Sequence, residues 1–225
     1  MAHFSDVEID RTPEEFAGSR TSPSGLYRRF LKRGFDIAVV LLLMLMVVPV
    51  VLAFGLLIRR DGGPALYSQP RVGRGGRIFR CWKLRTMGVD ADRRLAELIA
   101  SDSSAHAEWA TRQKLKNDPR ITPIGRILRK TSLDELPQLW NVLKGDMSLV
   151  GPRPMLPDQT RLYPGRAYYS LRPGVTGFWQ ISDRNETSFA SRASYDTAYS
   201  RRLSFVTDML VLLATAWVVV RGTGY

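Results

Sequence analysis

The sequence predicts an α-rich α+β membrane protein with one re-entrant (monotopic) membrane helix, a small β-hairpin and amphipathic surface helices. Three observations support this fold class. An apolar segment without charges has basic residues on both sides, and two short strand-like runs enclose a glycine-rich turn. The rest of the chain carries helical patterns with start and stop signals. The 225 residues are enough for one good-sized domain.

The composition limits the classes of function. A net charge of +12 calls for an anionic partner, which could be nucleic acid, an anionic membrane or a phosphorylated substrate. The sequence contains no zinc-finger spacing, RNP-like aromatic motif or basic zipper, so the membrane is favoured over nucleic acid. Cys81 is the single cysteine, which excludes an intrachain disulfide and suits a reducing cytoplasm. His3 and His106 stand in polar stretches, so acid–base chemistry must fall to carboxylates.

Residues 37–58, IAVVLLLMLMVVPVVLAFGLLI, form the predicted membrane segment. At about 22 residues without a charge, they could cross a bilayer as a straight helix. Pro49 favours a kink, and both flanks are basic, whereas a spanning helix should leave one end poor in Lys and Arg. A helix that re-enters and returns to the same face is therefore favoured over a span, which stays open. Residues 1–26 are predicted as a flexible tail, 27–60 as the basic flank with this helix, and 61–225 as the cytosolic domain.

The predicted hairpin follows the membrane segment. Residues 65–68 and 77–83 are predicted as short strands around a glycine-rich turn at 73–76. The turn has the glycines of a phosphate loop, but it lacks the GK[ST] ending and a strand–loop–helix setting. A plain hairpin turn is therefore predicted.

Helical patterns occupy most of the remaining chain. Residues 90–117 are a polar helical stretch with one apolar face, and Asp118-Pro119 ends it because a residue before proline is disfavoured in a helix. Thr122 is predicted as the cap, and Pro123 as the first residue, of a short helix. The apolar run 205–220 is short for a span and is interrupted by Asp208, which predicts an interfacial or core helix.

The stretch TSLDELPQLW, residues 131–140, holds two neighbouring acids, Asp134 and Glu135, between apolar residues. A helix is predicted to start here and to stop near Gly145, with Ser132 or Asp134 as its cap. Both registers place the acids in the first helical turn. A cap there is worth about 1 kcal/mol, and the helix macrodipole favours negative charge, so capping alone could explain the pair.

The surroundings of the acid pair favour a functional site instead. Arginine and lysine side chains near a helix start form an anion site, in which an acid can stay ionised as a nucleophile or metal ligand. Two adjacent carboxylates without a histidine fit a Mg²⁺-dependent reaction at a diphosphate. The basic, membrane-facing surface adds a lipid as one substrate. The basic residues concerned are Lys83, Arg85, Arg126, Arg129, Lys130 and Arg153.

Five motifs together resemble the bacterial sugar transferase family of small monotopic phosphoglycosyl transferases. They are KRGFDIAVV, KLRTM, DPRITPIGRILRKTSLDELPQLWNVLKGDMSLVGPRP, RPGVTGFWQISDRN and YDTAYSRRLSFVTDMLVLLAT, and they cover about Lys32 to Thr215. The layout is most similar to the short exopolysaccharide galactosyl-phosphate transferases. One departure is Val48-Pro49, where the family usually carries Ser-Pro.

The resemblance implies transfer of sugar-1-phosphate from a UDP-sugar to undecaprenyl phosphate, at a cytosolic active site on the bacterial inner membrane. It implies that Asp134 attacks the diphosphate and forms a covalent phosphosugar intermediate, that Glu135 binds Mg²⁺, and that Arg129 contacts phosphate. Nucleic acid is not an implied partner, and a homo-oligomer is one option. Further substrate-binding candidates are Lys83, Arg85, Arg153, Arg184, Asn185 and Asp196.

Two rival functions remain at this level. A non-catalytic membrane scaffold of a polysaccharide assembly complex could share the fold, although it would be expected to lose the acid pair or the arginines, and all are present. A nucleic-acid-binding protein tethered by one span would show salt-sensitive binding to DNA. The sugar is not determined, with galactose favoured by overall likeness.

Overall fold

A computed structural model of the chain describes residues 25–112, 115, 118–182 and 188–220. Apart from residues 25 and 26, the predicted tail lies outside this part of the chain. The α-helices are α1 (Lys32–Ile58), α2 (Ala91–Ser101), α3 (Ser103–Arg112), α4 (Pro123–Lys130), α5 (Gln138–Lys144), α6 (Ala167–Ser170), α7 (Phe178–Ile181), α8 (Arg192–Arg202) and α9 (Phe205–Val220). The strands are β1 (Leu66–Val72), β2 (Ile78–Leu84), β3 (Ser148–Val150) and β4 (Gly174–Thr176).

The predicted hairpin is confirmed, with a longer first strand than expected. Strands β1 and β2 pair in antiparallel register, with Tyr67 opposite Lys83 and Pro70 opposite Arg80. The prediction ended the first strand before Pro70. A two-stranded sheet leaves each strand a free edge, where a proline is tolerated. Gly75 and Gly76 in the turn both have positive φ, which glycine adopts at little cost.

The second sheet consists of β3 and β4, which run parallel with Ser148 opposite Gly174. Only a short strand in the RPGVTGFWQ region was predicted, and its partner β3 was not. Parallel strands are joined by a long crossover connection, so the partner of each strand lies far away in the sequence. Strands this short also show little alternation of polar and apolar residues by which they could be predicted. The sheet packs into the main hydrophobic core, whose buried members include Leu149, Val150, Phe178 and Val211.

Helix α1 is long and apolar enough to cross a membrane, judged by length and composition, within a helical run from Tyr27 to Asp61. The backbone stays helical through Pro49. Most of the helix surface is exposed and apolar, including Leu42, Leu45, Met46 and Leu56. A helix-rich chain with this exposed apolar surface is compatible with a monotopic membrane protein.

Both ends of α1 contact the rest of the chain. Near its start, Lys32 Nζ lies 2.7 Å from Asp208 Oδ2 of α9, and Ser148 Oγ of β3 donates to Asp36 at 2.7 Å. At its end, Ile58 packs in a cluster with Leu84 of β2 and Leu128 of α4. Contacts with β3 and α9 near its start and with the hairpin and α4 at its end therefore hold α1 against the rest of the chain.

The helical stretch predicted for residues 90–117 is broken in the structure, which corrects the single-stretch prediction. Helix α2 ends at Ser101 and α3 begins at Ser103. Asp102 has extended backbone angles, and its side chain accepts hydrogen bonds from the backbone amides of Ser104 and Ala105. An Asp that satisfies the free amides of a following turn competes with helix continuation, which explains the break.

The start and stop signals of α4 and α5 are confirmed, but the placement of the acid pair is wrong. Thr122 caps α4 by accepting from Gly125 N at 2.9 Å, and α5 ends at Gly145, which has φ of 91°. The acids do not lie in the first turn of α5. They form a separate 3₁₀ turn, Leu133–Glu135, whose preceding Ser132 makes no side-chain cap.

The predicted interfacial or core helix at the C-terminus is α9, and one of its faces lies in the core. One face carries buried Asp208 and Val211, whereas Leu210, Leu213 and Trp217 are exposed. The exposed side therefore adds to the apolar surface that α1 presents.

Candidate active site

The acid pair meets a lysine from the hairpin. Lys83 Nζ, near the end of β2, lies 2.6 Å from Glu135 Oε1 and 3.6 Å from Asp134 Oδ2. Asp134 is only 8 % exposed. Turning the acids out of α5 and into a 3₁₀ turn lets both carboxylates reach the same ammonium group. They are thus organised around Lys83 and are not used as helix caps.

The charge state of Asp134 depends on its cationic neighbours. Burial raises the pKa of Asp134, because water no longer solvates the charged form, and the charge of Glu135 acts in the same direction. The charges of Lys83 and Arg129 lower this pKa. A desolvated carboxylate beside cations that favour its charged form is a suitable nucleophile.

The backbone before the acid pair is strained. Ser132 has φ of 57°, and within the described part of the chain it is the only non-glycine residue with a positive φ. Strained backbone of this kind costs roughly 1–3 kcal/mol and persists where the surroundings hold it. Leu128 and Leu84, packed in one buried cluster with Leu133, provide such surroundings. Ser132 thus turns the chain between the end of α4 and the 3₁₀ turn that carries the acids.

We expect Ser132→Gly to keep transfer activity and to melt at the same or a higher temperature, because glycine adopts this φ without strain. Ser132→Val should destabilise the protein by about 1–2 kcal/mol and lower turnover at least tenfold, because a β-branched residue resists positive φ. Thermal melting and initial rates check both variants. Equal rates for the valine and glycine variants would contradict a role for this conformation.

Arg153 joins the acid pair from the segment after β3. Its Nη2 lies 3.6 Å from Glu135 Oε1, and its guanidinium carbon lies 5.7 Å from the centre of the Trp179 ring. The prediction that Arg153 lies beside the acids is therefore matched by the geometry. Two prolines flank this arginine, and Arg71 Nη1 donates to the Pro154 carbonyl at 3.0 Å.

Two further arginines complete a positive cluster, and neither was a sequence-based candidate. Arg192 of α8 stacks on Trp179, with its guanidinium carbon 4.0 Å from the ring centre. Burial and the neighbouring charges of Arg153 and Arg71 lower the pKa of Arg192 to about 10. Burial and Arg153 likewise lower the pKa of Arg71. Guanidinium groups that lower one another's pKa in this way favour the binding of an anion between them.

Arg71 and Arg192 lack a local signal because they lie far from the acid pair in the sequence. Arg71 sits in a strand beside Pro70, and Arg192 opens a helix in a polar stretch. An arginine in such a place is usually a solvated surface residue. The partial burial of each side chain, which is a tertiary property, sets them apart.

The remaining candidates divide between the site and the scaffold. Arg129 Nε donates to Thr86 Oγ1 at 2.9 Å and lies close enough to Asp134 to influence its pKa. Arg85 instead pairs with Asp61 and donates to the carbonyls of Pro64 and Met87, so it ties the end of α1 to the hairpin. A substrate contact by Arg85 stays a prediction.

Asp196 is buried and receives a hydrogen bond of 2.7 Å from Tyr163 Oη. Burial raises its pKa to about 7, although the Tyr163 hydrogen bond and the Arg192 charge oppose this. Its link to the acid pair is indirect, through Arg192, Trp179 and Arg153. The predicted contacts of Arg184 and Asn185 lie outside the described residues.

A magnesium site can be tested against these side chains. Among the described residues, no three His, Cys, Asp or Glu side chains come together to hold a metal ion. Mg²⁺ commonly takes only one or two carboxylates and completes its shell with water and substrate phosphate. The converging carboxylates of Glu135 and Asp134 fit that mode of binding, provided that a diphosphate supplies the other ligands.

An apolar cavity of about 310 Å³ lies next to the acid pair. Leu136 and Pro137, which directly follow Glu135 in the chain, form one wall, and Trp82 of β2 contributes another. The opposite wall is the middle of α1. The lining residues are Met44, Val47, Val48, Val51, Leu52, Leu66, Trp82, Leu136, Pro137 and Trp140.

Comparison with known proteins gives one family. The model of the bacterial sugar transferase family matches residues 27–222. The undecaprenyl-phosphate galactose phosphotransferase of Salmonella typhimurium is 48 % identical over 198 residues, which is 87 % of this chain and 42 % of that protein. The exopolysaccharide production protein ExoY of Sinorhizobium fredii is 44 % identical over 187 residues, covering 82 % of this chain and 83 % of that protein.

A third relative differs in the sugar that its name carries. The UDP-N-acetylgalactosamine-undecaprenyl-phosphate N-acetylgalactosaminephosphotransferase of Aeromonas hydrophila is 35 % identical over 229 residues, covering 97 % of this chain and 50 % of that protein. The chain thus spans about half or less of the length of the Salmonella and Aeromonas relatives. The family model covers nearly all of the described residues, including the acid pair, the hairpin and the arginine cluster. The chain belongs to the bacterial sugar transferase family.

Proposed function

We propose that this chain transfers sugar-1-phosphate from a UDP-sugar to undecaprenyl phosphate, the priming step of exopolysaccharide synthesis. One observation carries the proposal: a buried Asp134 shares Lys83 with Glu135, next to a cluster of arginines. A carboxylate nucleophile can attack an electrophilic phosphorus, and the positive charges of the arginines favour the binding of an anionic diphosphate. The names of the Salmonella and Aeromonas relatives, which contain undecaprenyl phosphate, support the choice of acceptor.

The reaction takes two steps. In the first, a carboxylate oxygen of Asp134 attacks the sugar-bearing phosphorus of the donor, and the bond to the bridging oxygen breaks, so that UMP leaves with that electron pair. An acyl phosphate between Asp134 and the sugar phosphate results. In the second, a phosphate oxygen of the lipid attacks the same phosphorus, and the carboxylate of Asp134 leaves. The product is undecaprenyl diphosphate sugar.

The cations around the acid pair have separate tasks in these steps. Lys83 and Arg129 oppose the rise of the Asp134 pKa that burial causes, and they neutralise the phosphoryl oxygens that approach it. Arg153 holds Glu135 and faces the positive cluster, where the leaving UMP phosphate is stabilised. Glu135 would hold Mg²⁺, which when bound stabilises charge on the diphosphate.

The acceptor lipid needs an apolar path to this site. The cavity beside Leu136 and Pro137 offers such a path, because α1 forms its outer wall and apolar side chains line it. An isoprenoid chain that lies along α1 would bring its phosphate to Asp134 while its tail remains in the membrane. Apolar burial of this kind contributes roughly 25 cal/mol per Å².

The contacts of α1 support a re-entrant helix with both ends at one face of the membrane, and we place that face on the cytoplasmic side of the inner membrane. A straight helix of this length measures about 40 Å, so a span would place its ends on opposite sides of the bilayer. Yet Lys32 contacts α9 while Ile58 contacts the hairpin, within one folded domain that carries charged residues. Keeping that domain out of the hydrocarbon requires both ends at the same face.

Galactose is the sugar that the comparisons favour. The Salmonella relative at 48 % identity and a galactosyl transferase of Streptococcus agalactiae, 48 % identical over 170 residues, both carry it in their names. The relative named for N-acetylgalactosamine is more distant, at 35 % identity. UDP-galactose is therefore the first donor to test.

The test is a transfer assay with labelled UDP-sugars, undecaprenyl phosphate and the purified full chain in detergent. We expect labelled lipid and stoichiometric UMP with UDP-galactose, and loss of both on chelation of divalent cations. Glu135→Gln should need a Mg²⁺ concentration at least tenfold higher for half-maximal rate, because the amide replaces a charged ligand. A non-catalytic scaffold would yield no labelled lipid with any sugar. An unchanged Mg²⁺ titration for Glu135→Gln would remove Glu135 as a ligand.

A further inference from the structure

Three buried side-chain atoms lack a hydrogen-bond partner within the described part of the chain, and both residues that carry them neighbour Trp179. They are Nε2 and Oε1 of Gln180 and Nε of Arg192. Gln180 follows Trp179 in α7 and is only 7 % exposed, while Arg192 stacks on the Trp179 ring. A buried polar group without a partner costs about 1–3 kcal/mol, and such groups are rare in folded proteins. Unpartnered polar atoms on two buried neighbours of Trp179 point to a site that binds a polar ligand.

The backbone brings Gln180 close to the segment that carries Arg153. A Cβ atom at Gly177 would lie only 2.1 Å from the carbonyl oxygen of Gly151 and 3.1 Å from Gln180 Oε1, so glycine is required where these groups meet. Gly151 precedes Pro152 and Arg153, and Arg153 contacts both Glu135 and the Trp179 ring. The side-chain oxygen of Gln180 therefore lies near the backbone of Gly177 and Gly151, two residues before Arg153.

The chemistry of the three atoms defines the ligand. An amide presents two N–H donors and one carbonyl acceptor, and the Nε–H of Arg192 adds a third donor. A phosphate or carboxylate would use only the donors and would leave Oε1 without a partner. A neutral group that both donates and accepts satisfies all three atoms. A nucleotide-sugar has such groups in two places, the hydroxyls of the sugar and the imide edge of the uracil.

We propose that Gln180 and the Nε of Arg192 form a subsite that hydrogen-bonds a neutral donor-and-acceptor group of the nucleotide-sugar, either sugar hydroxyls or the uracil imide. This rests on the proposed function, because it takes a UDP-sugar as the donor. In this proposal Arg153 and Lys83 bind the phosphates, and Gln180 forms hydrogen bonds with the uncharged part of the same molecule. Loss of the bonds to one such side chain lowers affinity by about tenfold, and a site with buried polar groups rejects ligands that leave them unpaired.

The decisive variant is Gln180→Met, which keeps the approximate shape and removes the hydrogen-bonding atoms. Binding of UDP-galactose and of UDP is measured by calorimetry on the full chain in detergent with Mg²⁺, in an Asp134→Asn background that keeps the donor intact. We expect the variant to bind UDP-galactose about tenfold more weakly, with a melting temperature equal or higher because no internal bond is lost. Weakening of UDP-galactose alone assigns the subsite to the sugar, and equal weakening of UDP assigns it to the uracil.

The matched control is Gln159→Met, because Gln159 Oε1 accepts from the Leu156 amide at 2.9 Å. This control should melt at a lower temperature and bind both ligands normally. Equal affinities of Gln180→Met and its parent for both ligands would overturn the subsite. Should the methionine variant not fold, Gln180→Glu removes the amide donors while keeping the shape, and normal binding by that variant would overturn it equally. Transfer by the unmodified chain is measured in parallel, so failure of the proposed function is seen separately.

Discussion

Asp134→Asn is expected to abolish formation of the labelled lipid and release of UMP, with a loss of about four orders of magnitude or more, as for other nucleophiles of covalent catalysis. The amide has nearly the same shape as the acid but cannot attack phosphorus. The folded protein should be as stable as the parent or more stable, because burial raises the pKa of Asp134 and so disfavours its charged form in the native state. Activity and melting temperature should therefore move in different directions.

Two results separate a nucleophile from a structural acid. Asp92→Asn, at an exposed acid of α2, should keep full activity and serves as the matched control. Incubation of the parent with labelled UDP-sugar alone should leave label on the protein, and Asp134→Asn should carry none. Asn keeps the shape of Asp but cannot attack phosphorus, so near-normal turnover in Asp134→Asn would leave Asp134 a structural role and refute the covalent mechanism.

Asp208→Leu is expected to lower the free energy of unfolding by about 3–5 kcal/mol, the usual effect of removing one partner of a buried ion pair. Asp208 is fully buried and accepts from Lys32 Nζ at 2.7 Å and from the hydroxyls of Tyr27 and Tyr199 at 2.8 Å each. Without it, the Lys32 charge at the start of α1 loses its closest carboxylate. Denaturant unfolding in detergent measures the change.

The pairing can be isolated by a double variant. Lys32→Met combined with Asp208→Leu should recover a large part of the lost stability, because two apolar side chains replace the buried charges. Asp90→Ala is the surface control, since Asp90 pairs with Arg93 and Arg94 at a more exposed position and should cost no more than about 1 kcal/mol. A double variant as unstable as Asp208→Leu alone would show that packing, and not the ion pair, holds α1 to α9.

The segments with strong local signals were predicted well. A charge-free apolar run, a Thr-Pro start and a glycine stop each act through neighbouring residues, and α1, the start of α4 and the end of α5 agree with them. The hairpin agrees because its turn needs residues that tolerate positive φ. The prediction failed where a long-range contact decides the structure, or where a side chain competes with the helix for backbone hydrogen bonds. Asp102 broke the helical stretch, and β3 was missed because its partner lies beyond a long crossover.

The candidate site shows the same division. Asp134, Glu135, Lys83, Arg129 and Arg153 were found from charge in an apolar setting and from the family resemblance, and the structure brings Lys83 and Arg153 to within 4 Å of the acids. Arg71, Arg192 and Gln180 were missed, because what distinguishes each of them is burial beside distant residues. Arg85 has the right charge and spacing, yet it faces Asp61.

By itself, the sequence determined that the chain carries a long apolar helix, a paired acid in a basic setting and the motifs of its family. These are properties of residues within a few positions of one another, where periodicity, charge and capping act directly. The tertiary structure alone decided that the acids leave the helix to meet Lys83, that three arginines gather on one side, and that both ends of α1 are held by one domain. The physical reason is that burial and long-range pairing set pKa values, strain and unmet hydrogen bonds, and these depend on residues that the chain brings together only on folding.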